Sequence, residues 1–173
     1  MANLATNPWS FTTSDVAAEP ITAATGLTLN ADGTVTITTT SPLTFVSGLP
    51  EVGFTVTGAT ASAYNGFYKR LTGASGASSF VMSPQFAIAA GTAQSGGGTL
   101  IQAQYRDNER IEDMSWQDQA AAGNRLIVYD RNGFLLWSAT AFGAGFQNRG
   151  KLFWCHGFAI AQMDAGSLLV TIN

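Results

Sequence analysis

An all-β chain is predicted: a β-sandwich or jelly-roll-like lobe with an inserted small β lobe and an extended N-terminal arm. Three observations predict it. Apolar and polar residues alternate with a period of two over short runs. Small or turn-forming residues, among them Gly48, Pro50, Gly58, Gly73, Gly76 and Pro84, punctuate those runs at roughly the 8–12-residue spacing of sandwiches and barrels. The chain then closes on Leu168-Leu169-Val170-Thr171-Ile172, a strand pattern that places the last segment inside a sheet.

The first 26 residues, rich in Ala and Thr and carrying Pro8 and Pro20, read as an arm without a core of its own. Trp9 and Phe11 alternate with polar neighbours and are its expected anchors, in the core or on a neighbouring subunit. Residues 27–98 form the expected inserted module. Leu27-Thr28-Leu29, the turn Asn30-Ala31-Asp32-Gly33, and Val35 and Ile37 set among Thr34, Thr36 and Thr38 predict a hairpin with one dry face and one threonine face. Further strands are expected at Leu43–Val46, Phe54–Thr57, Gly66–Leu71 and Ser79–Met82, and the run Gly96-Gly97-Gly98 is read as a flexible joint. Residues 99–173, completed by the arm, form the expected main lobe. The acidic stretch Arg106–Ala122 reads as a loop leading into a short strand, with a single helical turn as the alternative, because Ile111 and Met114 are three apart while Met114 and Trp116 alternate. Arg125–Asp130, the turn Asp130-Arg131-Asn132-Gly133 and Phe134–Thr140 predict a second hairpin. A glycine-rich link from Gly143 to Gly150 follows, and strands at Lys151–Cys155, Gly157–Met163 and Ser167–Ile172 complete the lobe.

Composition narrows the function. Charged residues are 11% of the chain, against roughly 25% in an ordinary domain, while hydrophobic residues are 46%. A Thr-, Ser- and Ala-coated surface carries few ions to strip of water, which suits permanent assembly with other proteins. The net charge of −3, with no Lys or Arg before Lys69, argues against a nucleic-acid partner. One Cys and one His leave no disulfide framework and no Cys/His zinc site, so neither metal nor cofactor is expected. The start lacks a basic and apolar leader and no run reaches the roughly 20 residues of a membrane helix, so a soluble chain made in a cytoplasm is expected.

No catalytic constellation is expected. Cys155 and His156 are adjacent on a strand and so point to opposite faces. Glu109, Glu112, Asp113 and Asp118 read as a solvated cluster pairing with Arg106 and Arg110 rather than as a glycosidase pair. Asp130-Arg131-Asn132-Gly133 lacks the later ligands of a calcium loop. The four Trp residues, Trp9, Trp116, Trp137 and Trp154, could stack sugar rings, but Trp137 and Trp154 lie within apolar β runs and are expected in the core.

Two stretches resemble known proteins. Pro42-Leu43-Thr44-Phe45, Val52-Gly53-Phe54-Thr55-Val56-Thr57-Gly58, Tyr64-Asn65-Gly66-Phe67-Tyr68 and Gly96-Gly97-Gly98-Thr99 resemble a small β module inserted in many phage and bacterial surface proteins, with a departure at Phe54, where those modules often carry Asp. Gly123-Asn124-Arg125-Leu126, Asp130-x-x-Gly133 and His156-Gly157-Phe158 through Gly166-Ser167-Leu168-Leu169-Val170 resemble small bacteriophage virion proteins. The resemblance implies a structural role in a virion: a capsid decoration or cement protein that associates with itself as a trimer and with the major capsid protein. A tail or head–tail protein, or a host-glycan or receptor-binding module, is the alternative it leaves. It carries over no catalytic residues. Trp9, Phe11, Tyr64, Phe67 and Tyr68 are the expected interface residues.

Overall fold

The computed structural model describes residues 8–45, 53–103, 105–130, 133–148 and 153–172, with the backbone alone at 105–109, 153, 155 and 156. The first seven residues of the expected arm, Val46 with Gly48 and Pro50, Arg131-Asn132 of the second turn, and Lys151-Leu152 lie outside the described residues, as do the side chains of Arg106, Glu109, Cys155 and His156.

The fold is all-β. Fourteen strands are described: β1 (Trp9–Thr12), β2 (Ala18–Pro20), β3 (Leu27–Leu29), β4 (Val35–Leu43), β5 (Phe54–Thr57), β6 (Gly66–Thr72), β7 (Ala77–Pro84), β8 (Thr99–Gln102), β9 (Tyr105–Gln119), β10 (Arg125–Asp130), β11 (Leu135–Thr140), β12 (Gly145–Asn148), β13 (Phe153–Met163) and β14 (Ser167–Ile172). Two short 3-10 turns are the helical elements among the described residues. The strands form two antiparallel sheets, one in the order β1-β14-β9-β13-β10-β11 with β12 also paired to β9, the other in the order β2-β8-β5-β6-β7-β4-β3.

Each sheet owns a core. In the first, Trp9, Phe11, Ile111, Met114, Trp116, Val128, Phe158, Ile160 and Val170 are buried together, and Phe11 meets Phe158 edge to face at 5.3 Å. In the second, Leu27, Val35, Ile37, Phe54, Tyr64, Tyr68, Phe80 and Leu100 are buried, with Phe45, Phe54 and Phe80 in mutual ring contact. The Arg70 guanidinium lies 4.7 Å from the Phe45 ring centroid, a cation–π contact that covers the core's rim.

The N-terminal segment is divided between the sheets. β1 pairs with β14, so that Trp9 opposes Val170, and this makes β14 an interior strand. β2 pairs with β8, and β8 with β5. Thr99–Gln102, expected to open the main lobe, therefore lies in the second sheet. The chain passes into that sheet over Thr13–Ala17 and leaves it after Ala103. At this crossing Gln102 N–H donates to the Ala17 carbonyl (2.8 Å) and Ala103 N–H to Gly53 (3.0 Å).

Three local expectations are corrected. Residues 105–119 are one long strand, not a loop before a short one. The helical-looking spacing of Ile111 and Met114 comes from a β-bulge: Thr171 pairs with Asp113 and Ile172 with Ile111, so Glu112 is an extra residue that resets the inward face. The segments expected as Lys151–Cys155 and Gly157–Met163 are a single strand over their described part, with a register shift between His156 and Phe158.

The third correction concerns Gly96-Gly97-Gly98, expected to be a flexible joint. It is a backbone crossing. Ile21 N–H donates to Gly98 (3.0 Å), Thr60 N–H to Gly96 (3.0 Å) and Gly97 N–H to Thr22 (3.3 Å). A side chain at Gly96 would overlap the Thr22 carbonyl and sit 2.5 Å from the Ala24 nitrogen, so only glycine lets the three segments approach. The same crossing curls the second sheet until Ile21 bridges Thr39 and Thr22 N–H donates to Thr38 (2.9 Å), bringing its first strand against its sixth.

Candidate functional site

The five expected interface residues are distributed by burial. Trp9 (5% exposed) and Phe11 (0%) belong to the first core, and Tyr64 (0%) and Tyr68 (1%) to the second. Four of the five thus spend their apolar surface inside their own chain, and only Phe67 stays partly exposed. The Tyr-Asn-Gly-x-Tyr block is a folding device. Tyr68 Oη donates to the Tyr64 carbonyl (2.7 Å), Tyr64 Oη donates to the Ala93 carbonyl (3.2 Å), and Asn65 Oδ1 accepts from Ala59 N–H (2.9 Å). Burial, and secondarily the neighbouring Tyr64, raises the Tyr68 hydroxyl above the usual tyrosine value, so it stays a neutral donor. The Phe67 ring lies over Gly53, where any β-carbon would overlap it.

The expected hairpins form, and their polar residues are consumed by turn chemistry. Asp32 Oδ1 accepts from both the amide (3.0 Å) and the hydroxyl (2.7 Å) of Thr34, and these bonds lower the Asp32 carboxyl below its ordinary value, the hydroxyl bond contributing most. Asp130 Oδ1 accepts from Phe134 N–H (2.8 Å), and Gly133 N–H donates to the Asp130 carbonyl (3.1 Å), which closes the β10–β11 turn.

Among the described side chains, Glu112, Asp113 and Asp118 do not gather into a cluster that could hold a metal. Glu112 is exposed at the bulge, and Asp113 accepts from Asn148 Nδ2 (2.8 Å). Asp118 is exposed at the far end of the strand. Trp116, next to them in sequence, is fully buried with Nε1 donating to the Ala165 carbonyl (2.8 Å). Among the described residues no three His, Cys, Asp or Glu side chains come together as a metal site. No helix of the described residues is long and apolar enough to cross a membrane.

The fold leaves several aromatic side chains outside. Among the described residues the exposed large apolar side chains are Leu71, Phe86, Phe134, Leu135, Phe142, Phe146 and Trp154, and five of these seven fall between residues 134 and 154 of the first sheet. Trp154, expected in the core, is 72% exposed. Strand alternation explains it. Phe153 pairs with the core residue Ile111, so Trp154, paired with Arg110, projects from the opposite face. Trp137 does pack against the first core, partly buried. Phe142 (93% exposed) and Phe146 (69%) flank the glycines of the link, where no period-two pattern assigns them to a core. An aromatic set among glycines, outside any alternating run, was the available signal for an exposed position.

No protein family, curated protein or solved structure matches the chain.

Proposed function

We propose that the chain is a non-catalytic structural component of a bacteriophage particle, which decorates or cements the shell by associating with its own copies and with the major capsid protein. A tail or head–tail position would change the neighbour and leave the physics the same. The observation that carries the reading is the concentration of exposed aromatics between Phe134 and Trp154. Exposed apolar side chains that gather into one patch mark a surface that another molecule covers. Burying each contributes about 1.5–3 kcal/mol before entropic losses, and repetition over a symmetric shell multiplies weak contacts into avidity. The low charge content works in the same direction, since few ions need to be desolvated when the surface is covered. Three copies around a local three-fold axis is the proposed arrangement.

The test is co-sedimentation of the chain with purified particles through a density gradient. Wild type is expected in the particle fraction. Trp154→Ser and Phe142→Ser, both surface changes, are each expected to lower occupancy about tenfold, the effect of roughly 1.4 kcal/mol. Wild-type chain that stays at the top of the gradient would contradict the proposal.

A further inference from the structure

We infer that the cleft between the end of β9 and the start of β12 binds a neutral saccharide. This goes beyond the assembly role; Phe146 belongs to both readings, and the groups on β9 belong to this one alone. The cleft, of about 540 Å³, is lined by Gln117, Asp118, Gln119, Ala120, Ala144, Gly145 and Phe146. It is an open depression rather than an enclosed pocket, so a ligand would lie along it with one side in solvent. Its two walls are fixed to each other by backbone pairing, Gly145 with Gln119 and Gln147 with Trp116, so the cleft is present before any ligand arrives.

The chemistry of the walls selects the ligand. Gln119 is only 2% exposed, and its Nε2 donates to the Trp116 carbonyl (3.3 Å). A carbonyl can only accept, so this bond fixes the amide orientation and leaves Oε1 as an acceptor beside the second N–H of the amide. Gln117 Nε2 lies 3.3 Å from Ser115 Oγ, a hydroxyl that can donate or accept, so this amide can present either its oxygen or its nitrogen. Asp118 between them adds a carboxylate, which only accepts when ionised. The lining thus carries two amide groups and one carboxylate, and it holds no Lys, Arg or His. Phe146, 69% exposed, supplies an aromatic face, and Ala120, Ala144 and Gly145 take little room.

A ligand for these walls has several donors and an apolar face. A sugar ring has both: its hydroxyls donate to the amide and carboxylate oxygens while its C–H face lies on the phenyl ring. Phosphates and carboxylates would meet acceptors with no cation to balance them. A purely apolar ligand would strip Asp118 of water without replacing the lost hydrogen bonds. A cation would find a single, solvent-exposed carboxylate, a weakly attractive and readily screened partner.

The full chain should be applied to an array of neutral, acidic and amino oligosaccharides, and the best-retained one titrated into wild type, Phe146→Ala, Phe146→Tyr and Asp118→Asn. Neutral saccharides are expected to be retained. Phe146→Ala is expected to weaken binding about tenfold with an unchanged unfolding curve, while Phe146→Tyr, which keeps the ring, holds wild-type affinity. No retention of neutral saccharides, equal binding by Phe146→Ala, or preference for amino sugars that Asp118→Asn abolishes would each overturn the inference. Particle co-sedimentation of Asp118→Asn, run in parallel, separates this site from the assembly role: the substitution is expected to leave occupancy unchanged.

Discussion

Gly98→Ala is expected to lower stability by about 3 kcal/mol, at the upper end of what single substitutions usually cost, and to lower Tm by roughly 10 °C. Two effects add. Gly98 has φ +80°, where an L side chain costs about 1–2 kcal/mol. A β-carbon there would also overlap the Thr57 carbonyl and lie 2.7 Å from both the Ala59 nitrogen and the Gly58 carbonyl carbon. These are backbone atoms of a hydrogen-bonded crossing and cannot rotate away as a side-chain end could. Gly76→Ala is the control, since φ is +82° there and no atom lies within 4 Å of the added carbon. It is expected to show the conformational part alone. Thermal and urea unfolding of the two variants measures the difference, and equal losses would mean that the crossing is loosely packed.

Trp116→Ala is expected to cost about 3–5 kcal/mol, because it empties the largest fully buried side chain of the first core. Trp116→Phe is expected to cost less, about 1–3 kcal/mol, chiefly from leaving the Ala165 carbonyl without its 2.8 Å donor. Urea midpoints at constant m-value would read both effects. A near-neutral Trp116→Ala would contradict the burial and return Trp116 to the surface, beside the carboxylates.

Elements whose determinants are local were legible in the sequence. Phe54–Thr57, Arg125–Asp130 and Ser167–Ile172 were read with the bounds the structure gives, and the Asn30–Gly33 turn falls where its residues demand it, because period-two alternation and turn chemistry act over a few neighbours. Elements set by distant partners were not. The Glu112 bulge shows only against β14, and it disguised a fifteen-residue strand as a loop. The glycine run looked like a hinge because glycine permits both freedom and close approach, and only the segments at Thr22 and Thr57 decide between them. Trp154 looked like core because its neighbours are apolar, yet the face it takes is set by the pairing of Phe153 with Ile111. The candidate site was the least legible part. Gln119 becomes an oriented acceptor only through the Trp116 carbonyl, and Phe146 becomes a cleft wall only when β12 pairs with β9.

The mass of the purified chain in solution, followed by light scattering over a concentration series, tests the association account most directly. An integer multiple of the 18.1 kDa protomer is predicted, threefold for the proposed trimer, shifting toward the protomer in Trp154→Ser. A mass of one protomer at every concentration, identical in wild type and Trp154→Ser, would contradict it.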